Sequence, residues 1–155
     1  MTEQTTQKKY ELLKDDTVEH FGRTLYRIKA LITFGLVGAG QLGGYIETEK
    51  NLDHSGNAWV YDNALVYGDA RVCGDALVRS FAVISERKMI FGASNVGSEN
   101  GTLTVFNGKY GLIVTRGCFT GTVDEFLSKS KEVHDDKPHH EYKLLIEVAQ
   151  SRILN

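Results

Sequence analysis

Between Gly56 and Ser85, small, aliphatic and turn-forming residues return every six positions. Ala58, Ala64, Ala70, Ala76 and Ala82 form one column. Val60, Val66, Val72, Val78 and Ile84 form a second, two residues further on. The hexads open on turn formers: Gly56-Asn57, Asp62-Asn63, Gly68-Asp69 and Gly74-Asp75. A fixed short period is the mark of a repeat architecture. Six does not match the 3.6-residue helical turn, and Asn, Asp and Gly are poor helix residues. Each hexad therefore predicts one short strand and one turn. The two columns lie two residues apart, so they share a face and point inward. Trp59 and Tyr61 flank inward Val60 and are expected to point outward. The earlier fragments Gly44-Tyr-Ile46 and Lys50-Asn-Leu52 keep the same spacing, and the register then slips at His54-Ser55, which predicts a looped-out insertion.

The flanks carry other patterns. Met1–Gln7 is polar and reads as a frayed tail. Tyr10–Leu13 predicts a short strand, and Thr17–Phe21 and Thr24–Ile28 predict a hairpin turning at Gly22-Arg23. Residues 30–44 are a glycine-bearing connection. Its string Gly38-Ala-Gly40-Gln-Leu-Gly43 imitates a dinucleotide fingerprint, but no strand–helix–strand unit surrounds it, so that reading is rejected. After Ser85, Lys88–Phe91, Thr102–Phe106 and Tyr110–Thr115 predict strands, the last two joined at Asn107-Gly-Lys109. Thr122 and Glu125 form a capping box for a helix over Val123–Val133. His134–Pro138 breaks it. A second helix is expected from His140 to Leu154, with Leu144, Leu145, Val148 and Ile153 on its buried face.

Composition narrows the classes. The 155 residues are 41% hydrophobic and 25% charged, with a formal net charge of −2. That gives no basic field to suggest a duplex partner, and no sequence-specific nucleic-acid binding is expected. No apolar run reaches the ~20 residues that cross a bilayer, so no membrane is expected either. The N-terminus lacks the apolar core of a signal peptide, and the chain has only two cysteines. Free thiols and a cytoplasmic setting are expected.

The hexads resemble the hexapeptide-repeat, left-handed β-helix family, whose motif places a branched aliphatic four residues before a small one. Val60/Ala64, Val66/Ala70, Val72/Ala76 and Val78/Ala82 match it. The resemblance implies a mainly β fold with an α+β cap. Its core would be a short left-handed β-helix of roughly two coils, flanked by the N-terminal β-hairpin and by a C-terminal β-meander plus two helices. Residues 1–43 would form the N-terminal cap, 44–86 the coil and 87–155 the C-terminal module. A coil would stack Tyr61 over Arg79 and Trp59 over Leu77. The segments Tyr10–Trp59, Asn95–Phe106, Gly117–Phe126 and Val133-His-Asp also resemble uncharacterised proteins of bacteriophages and Firmicutes. That second resemblance implies an origin on a phage or mobile element, in the cytoplasm of a bacterial host, and no particular chemistry.

Three site readings compete. The first is a recognition surface: Tyr45, Trp59, Tyr61, Tyr67, Arg71 and Arg79 lie in outward columns, and aromatics and arginines are enriched at interfaces. The second is acyl transfer, where His54 at the register slip would be the general base; the acyl-transferring relatives have more coils. The third is a metal. Cys118, His134, His139 and His140 carry the ligand types zinc prefers, although a helix of about 17 Å separates Cys118 from His134. No other cofactor and no catalytic nucleophile are expected. Together these readings favour a non-enzymatic protein of phage or mobile-element origin that binds a host protein or complex. Its most concrete version is an anti-CRISPR-like inhibitor of a host defence nuclease. The alternatives are a minimal hexapeptide-type acyltransferase using His54 and a phage structural or assembly component that self-associates as a homo-oligomer.

Overall fold

The computed structural model describes residues 8–97 and 99–154; Met1–Gln7, expected as a frayed tail, lies outside them. Strands β1 (Tyr10–His20) and β2 (Arg23–Ala30) form the expected antiparallel hairpin. Its turn falls one residue early, at Phe21 and Gly22, whose φ angles of 49° and 78° are both positive. That geometry follows the natural twist of paired strands. A bulge between Leu13 and Thr17 joins the two pieces expected separately into one long strand. It carries Lys14, Asp15 and Asp16, and charge on an edge strand discourages further pairing.

Strand β3 (Leu42–Ile46) pairs antiparallel with β2. The hexads then supply two-residue strands: β4 (Trp59–Val60), β5 (Leu65–Val66), β6 (Leu77–Val78) and β7 (Val83–Ile84). Leu65 faces Val83 and Trp59 faces Leu77, each parallel and three hexads on. Both inward columns are buried as expected, from Ala58 and Val60 to Ala82 and Ile84.

The left-handed β-helix is not formed. Among the described residues the chain makes open sheets only. One has five strands in the order β1-β2-β3-β5-β7, and a second holds β4 and β6 alone. The remaining hexad position contributes a single bridge, Leu52 to Val72. The reason lies in how little of each hexad is extended. The first residue of every repeat, Gly56, Asp62, Gly68, Gly74 and Ser80, has φ between 58° and 74°. A left-handed residue every six leaves room for two strand residues, too few to close a wall. The hairpin also draws β3, β5 and β7 into its own mixed sheet.

A four-stranded antiparallel sheet follows, β8 (Ile90–Val96), β9 (Gly101–Gly108), β10 (Gly111–Arg116) and β11 (Phe119–Thr122), in the order β11-β10-β9-β8. Strand alternation gives it two faces. Thr104, Phe106 and Thr115 meet the hexads, while Leu103, Val105 and Val114 pack against two helices. Helix α1 (Val123–Val133) has the expected bounds, and the expected capping box of Thr122 and Glu125 is present. Helix α2 (Asp136–Ile153) begins four residues before its expected start. Pro138 lies in its first turn, where a missing N–H costs no intrahelical bond. Its buried stripe is Tyr142, Ile146, Ala149 and Ile153; Leu144 and Val148 are exposed. Two cores result. The first runs from Tyr10 through the hexads to Phe106 and so crosses the expected lines at 43/44 and 86/87. The second lies under the helices.

Both ends of the hexad strands are closed, by different chemistry. On the outer side of β4, the buried Lys9 ammonium donates to the carbonyls of Ala58 at 2.7 Å and Gly56 at 3.5 Å. On the outer side of β6, the Thr104 hydroxyl accepts from the Leu77 amide at 3.4 Å, and the Thr115 hydroxyl donates to the Leu77 carbonyl at 2.7 Å. Between these ends, buried Asn51 accepts from the amides of Glu47 and Thr48 and donates to the carbonyls of Gly68 and Ala70.

Candidate functional site

The six residues expected to form an outward recognition face do not share one. Trp59 is fully buried, with the rings of Tyr10 and Phe34 edge-on at 6.2 and 5.4 Å. Tyr45 and Tyr67 are also buried, packed with Leu25 under the hairpin. The expectation that these three aromatics meet solvent is therefore corrected: Tyr10 and Phe34 cover Trp59, and Leu25 and Val18 of the N-terminal hairpin cover Tyr45 and Tyr67. Tyr61 is half-buried beneath the Arg79 guanidinium, 5.0 Å away, and Trp59 pairs with Leu77, both as the three-hexad spacing implied. Arg79 is a strut, donating to the Gly117 carbonyl at 3.0 Å and the Thr120 hydroxyl at 3.2 Å. Arg71 remains exposed, 3.6 Å from Asp53.

His54 does lie in a loop, but its side chain is held. Its ring stacks on Tyr10, with centroids 4.1 Å apart and planes within 6°. Nδ1 accepts from the Lys9 amide at 3.1 Å. The proton must then sit on Nε2, which faces the Glu49 carboxylate at 2.8 Å. Both nitrogens are engaged, so no lone pair faces an acceptor hydroxyl. The His54 hydrogen bond holds the Glu49 carboxyl below its ordinary value. Asp53 is lowered as well, chiefly by the Ser55 amide. Burial pushes the Tyr10 phenol up and the Lys9 ammonium down. This cluster reads as a clamp that docks β1 onto the hexads.

The candidate zinc ligands are only partly gathered. Cys118 and His134 line one cavity of about 470 Å³ between the β10–β11 turn and α1, so the helix does not keep them apart as expected. His139 instead pairs with the Ser130 hydroxyl at 3.0 Å, and His140 is exposed. Among the described residues no group of three or more His, Cys, Asp and Glu is placed to hold a metal.

A surface that the sequence reading passed over stands out at the last hexad. Phe81 and Tyr110 are 61% and 80% exposed, and their rings meet edge-on at 5.8 Å. The Lys109 amide donates to the Phe81 carbonyl at 2.8 Å, fixing the hairpin tip against the repeat. The Ser80 amide donates to the Asp62 carboxylate one layer below at 3.0 Å. Beside the two rings is a cavity of about 180 Å³ walled by Leu112, Ile113, Gly121 and Glu125 among others. A signal was available in the repeat itself. Phe81 occupies the second hexad slot, filled in the four preceding repeats by Asn57, Asn63, Asp69 and Asp75.

No protein-family model and no curated protein matches this chain. No helix among the described residues is long and apolar enough to cross a membrane.

Proposed function

We propose that the protein acts by binding another protein, with the Phe81–Tyr110 corner as its anchor. The observation that carries this reading is an aromatic at a polar turn position, paired with a second exposed aromatic on a rigid hairpin tip. Exposed aromatics flanking a small cavity are the form interface anchors take. The occupant is a protein surface that inserts one apolar side chain beside Leu112 and Ile113, with Lys109 and Glu125 as a rim of both signs. The engagement of both His54 nitrogens weighs against acyl transfer. The more specific version, a phage- or mobile-element protein that blocks a host defence nuclease, is supported by the sequence resemblance alone.

The test compares the wild type with a Phe81→Ser/Tyr110→Ser double variant. A crosslinked capture from a bacterial lysate is expected to recover a partner that the double variant loses by about tenfold or more, the effect of removing paired hot spots. Equal capture by a folded double variant overturns the reading. Size-exclusion chromatography identifies the case in which the partner is a second copy. Protection of an incoming plasmid in a host with an active nuclease defence tests the specific version separately.

A further inference from the structure

The cavity holding Cys118 and His134 has a second character, independent of the aromatic corner. Strand alternation places Arg116 on the face of β10 that carries Val114, the face covered by the helices. Its side chain is only 14% exposed. The guanidinium stays charged throughout the accessible pH range. Its Nε and Nη2 are sealed from solvent and have no hydrogen-bond partner. The Tyr142 ring lies 5.9 Å from it, and the Tyr142 hydroxyl and His134 Nδ1 nearby are also buried without partners. A charge placed in such a wall requires a counter-charge. Among the described residues its ion-pair partner is Glu99, which reaches Nη1 at the long distance of 3.3 Å from a turn where its side chain is 78% exposed. Lys129 adds a second cation at the rim, and Phe119, Phe126 and Val133 give the cavity an apolar wall. The C-terminal carbonyls of α1 oppose an anion here, and the two side-chain cations outweigh them.

We propose that this cavity binds a small organic oxyanion, a carboxylate or phosphate carried on an apolar body. Glu99 occupies the oxyanion position in the free protein and swings out when the ligand enters. The ligand's oxygens then pair with Arg116 and Lys129 while its body lies against Phe119 and Val133. A charge-assisted pair with such a ligand would satisfy the buried arginine, and the 470 Å³ volume exceeds what a bare ion fills.

Phenyl phosphate and benzoate serve as probes, with inorganic phosphate and phenol as controls, and binding is read by titration calorimetry on the full chain. At least one of the two probes is expected to bind saturably and more tightly than both controls, and the difference between them tells phosphate from carboxylate. Glu99→Gln is expected to tighten binding several-fold. The Glu99 side chain is 78% exposed, and because it is the counter-charge of Arg116, circular dichroism first verifies that Glu99→Gln is folded. Arg116→Gln is expected to weaken binding by about tenfold or more, and Lys129→Gln by less, in keeping with the loss of a charged hydrogen bond. Failure of both probes to bind the wild type, or equal binding by the wild type and Glu99→Gln, overturns the proposal. If Arg116→Gln does not fold, the Glu99 and Lys129 variants decide it.

Discussion

The outer edges of β4 and β6 present the same problem, a two-residue strand with unpaired backbone groups, and the chain solves it in two ways. At β4 it brings in a long charged side chain. Lys9 reaches the carbonyls of Gly56 and Ala58 while its ammonium lies 4.7 Å from the Phe34 ring, and Trp59 fills the space beneath. At β6 it uses short hydroxyls from the four-stranded sheet packed beside it. The difference teaches that a strand edge can be closed either by ordering one long side chain or by docking short hydroxyls of a neighbouring sheet. The first costs more side-chain entropy and couples the edge to pH. The second costs little and does not.

The comparison is broken most severely at Trp59. Trp59→Ala removes the largest fully buried side chain and leaves a cavity between Tyr10, Phe34 and the hexads. The expected loss is about 3–5 kcal/mol in urea unfolding, as for large aromatic truncations in cores. A loss below about 1 kcal/mol would mean that the hairpin collapses onto the gap, and that the β4 edge is not held by aromatic bulk.

Lys9→Met comes next. It keeps the packing on Phe34 but leaves the buried Ala58 carbonyl, and the carbonyl of exposed Gly56, without the Lys9 donor, at an expected cost of about 1–3 kcal/mol. It also removes a pH dependence. Burial lowers the folded-state pKa of Lys9 below 10.5, partly offset by Asp53. As pH climbs through that lowered value towards 10.5, the unfolded chain holds more protons than the folded one. This contribution therefore raises stability with pH in that window. The rise should appear in the wild type relative to Lys9→Met. Parallel pH profiles for the two proteins would show that the ammonium is solvated, contrary to its burial.

How much of this was legible in the sequence follows the same divide. The hexad columns, the hairpin and α1 with its capping box were readable because each is a local pattern: a period, a turn or a cap. The register of Trp59 over Leu77 followed from the spacing. The outward aromatics were misread because alternation along a strand tells which wall a side chain is on, and not what covers that wall. Lys9 lies 49 residues from its acceptor Ala58, a separation no local pattern encodes. The closed prism failed for a reason the sequence did contain: a turn former opens nearly every hexad, and a left-handed residue every six leaves only two strand residues. On α2, Leu144 and Val148 outweighed Tyr142 and Ala149 on hydrophobicity, although the latter pair matches the spacing of Ile146 and Ile153. Arg116 is a site residue that strand alternation alone would have placed beside Val114.

The hydroxyl-closed edge is expected to respond more weakly. Thr115→Val removes the donor to the Leu77 carbonyl, and Thr104→Val the acceptor for its amide. Each is near-isosteric, so the expected cost is about 1 kcal/mol, with Thr115→Val the larger because its bond is shorter. Neither variant should alter the alkaline pH profile. A cost at either threonine matching that of Lys9→Met would erase the distinction between the two edges.

The smallest effect tests the left-handed slot at the far end of the run. Ser80 has φ of 64° with no glycine to relieve it. Ser80→Gly removes the Cβ strain but adds freedom to the unfolded chain, for a net gain of about 0.5–1 kcal/mol. Asp62, one layer below with φ of 58°, is the control. Asp adopts this conformation more readily, and its carboxylate accepts the Ser80 amide. Asp62→Gly should therefore gain nothing and lose that bond. Thermal unfolding of both variants separates the two contributions. If Ser80→Gly is destabilising, the serine must support the Phe81 corner through its side chain, and the strained slot is held by contacts other than the Asp62 hydrogen bond. If both glycine variants gain equally, the carboxylate is dispensable and the slot is governed by backbone strain alone.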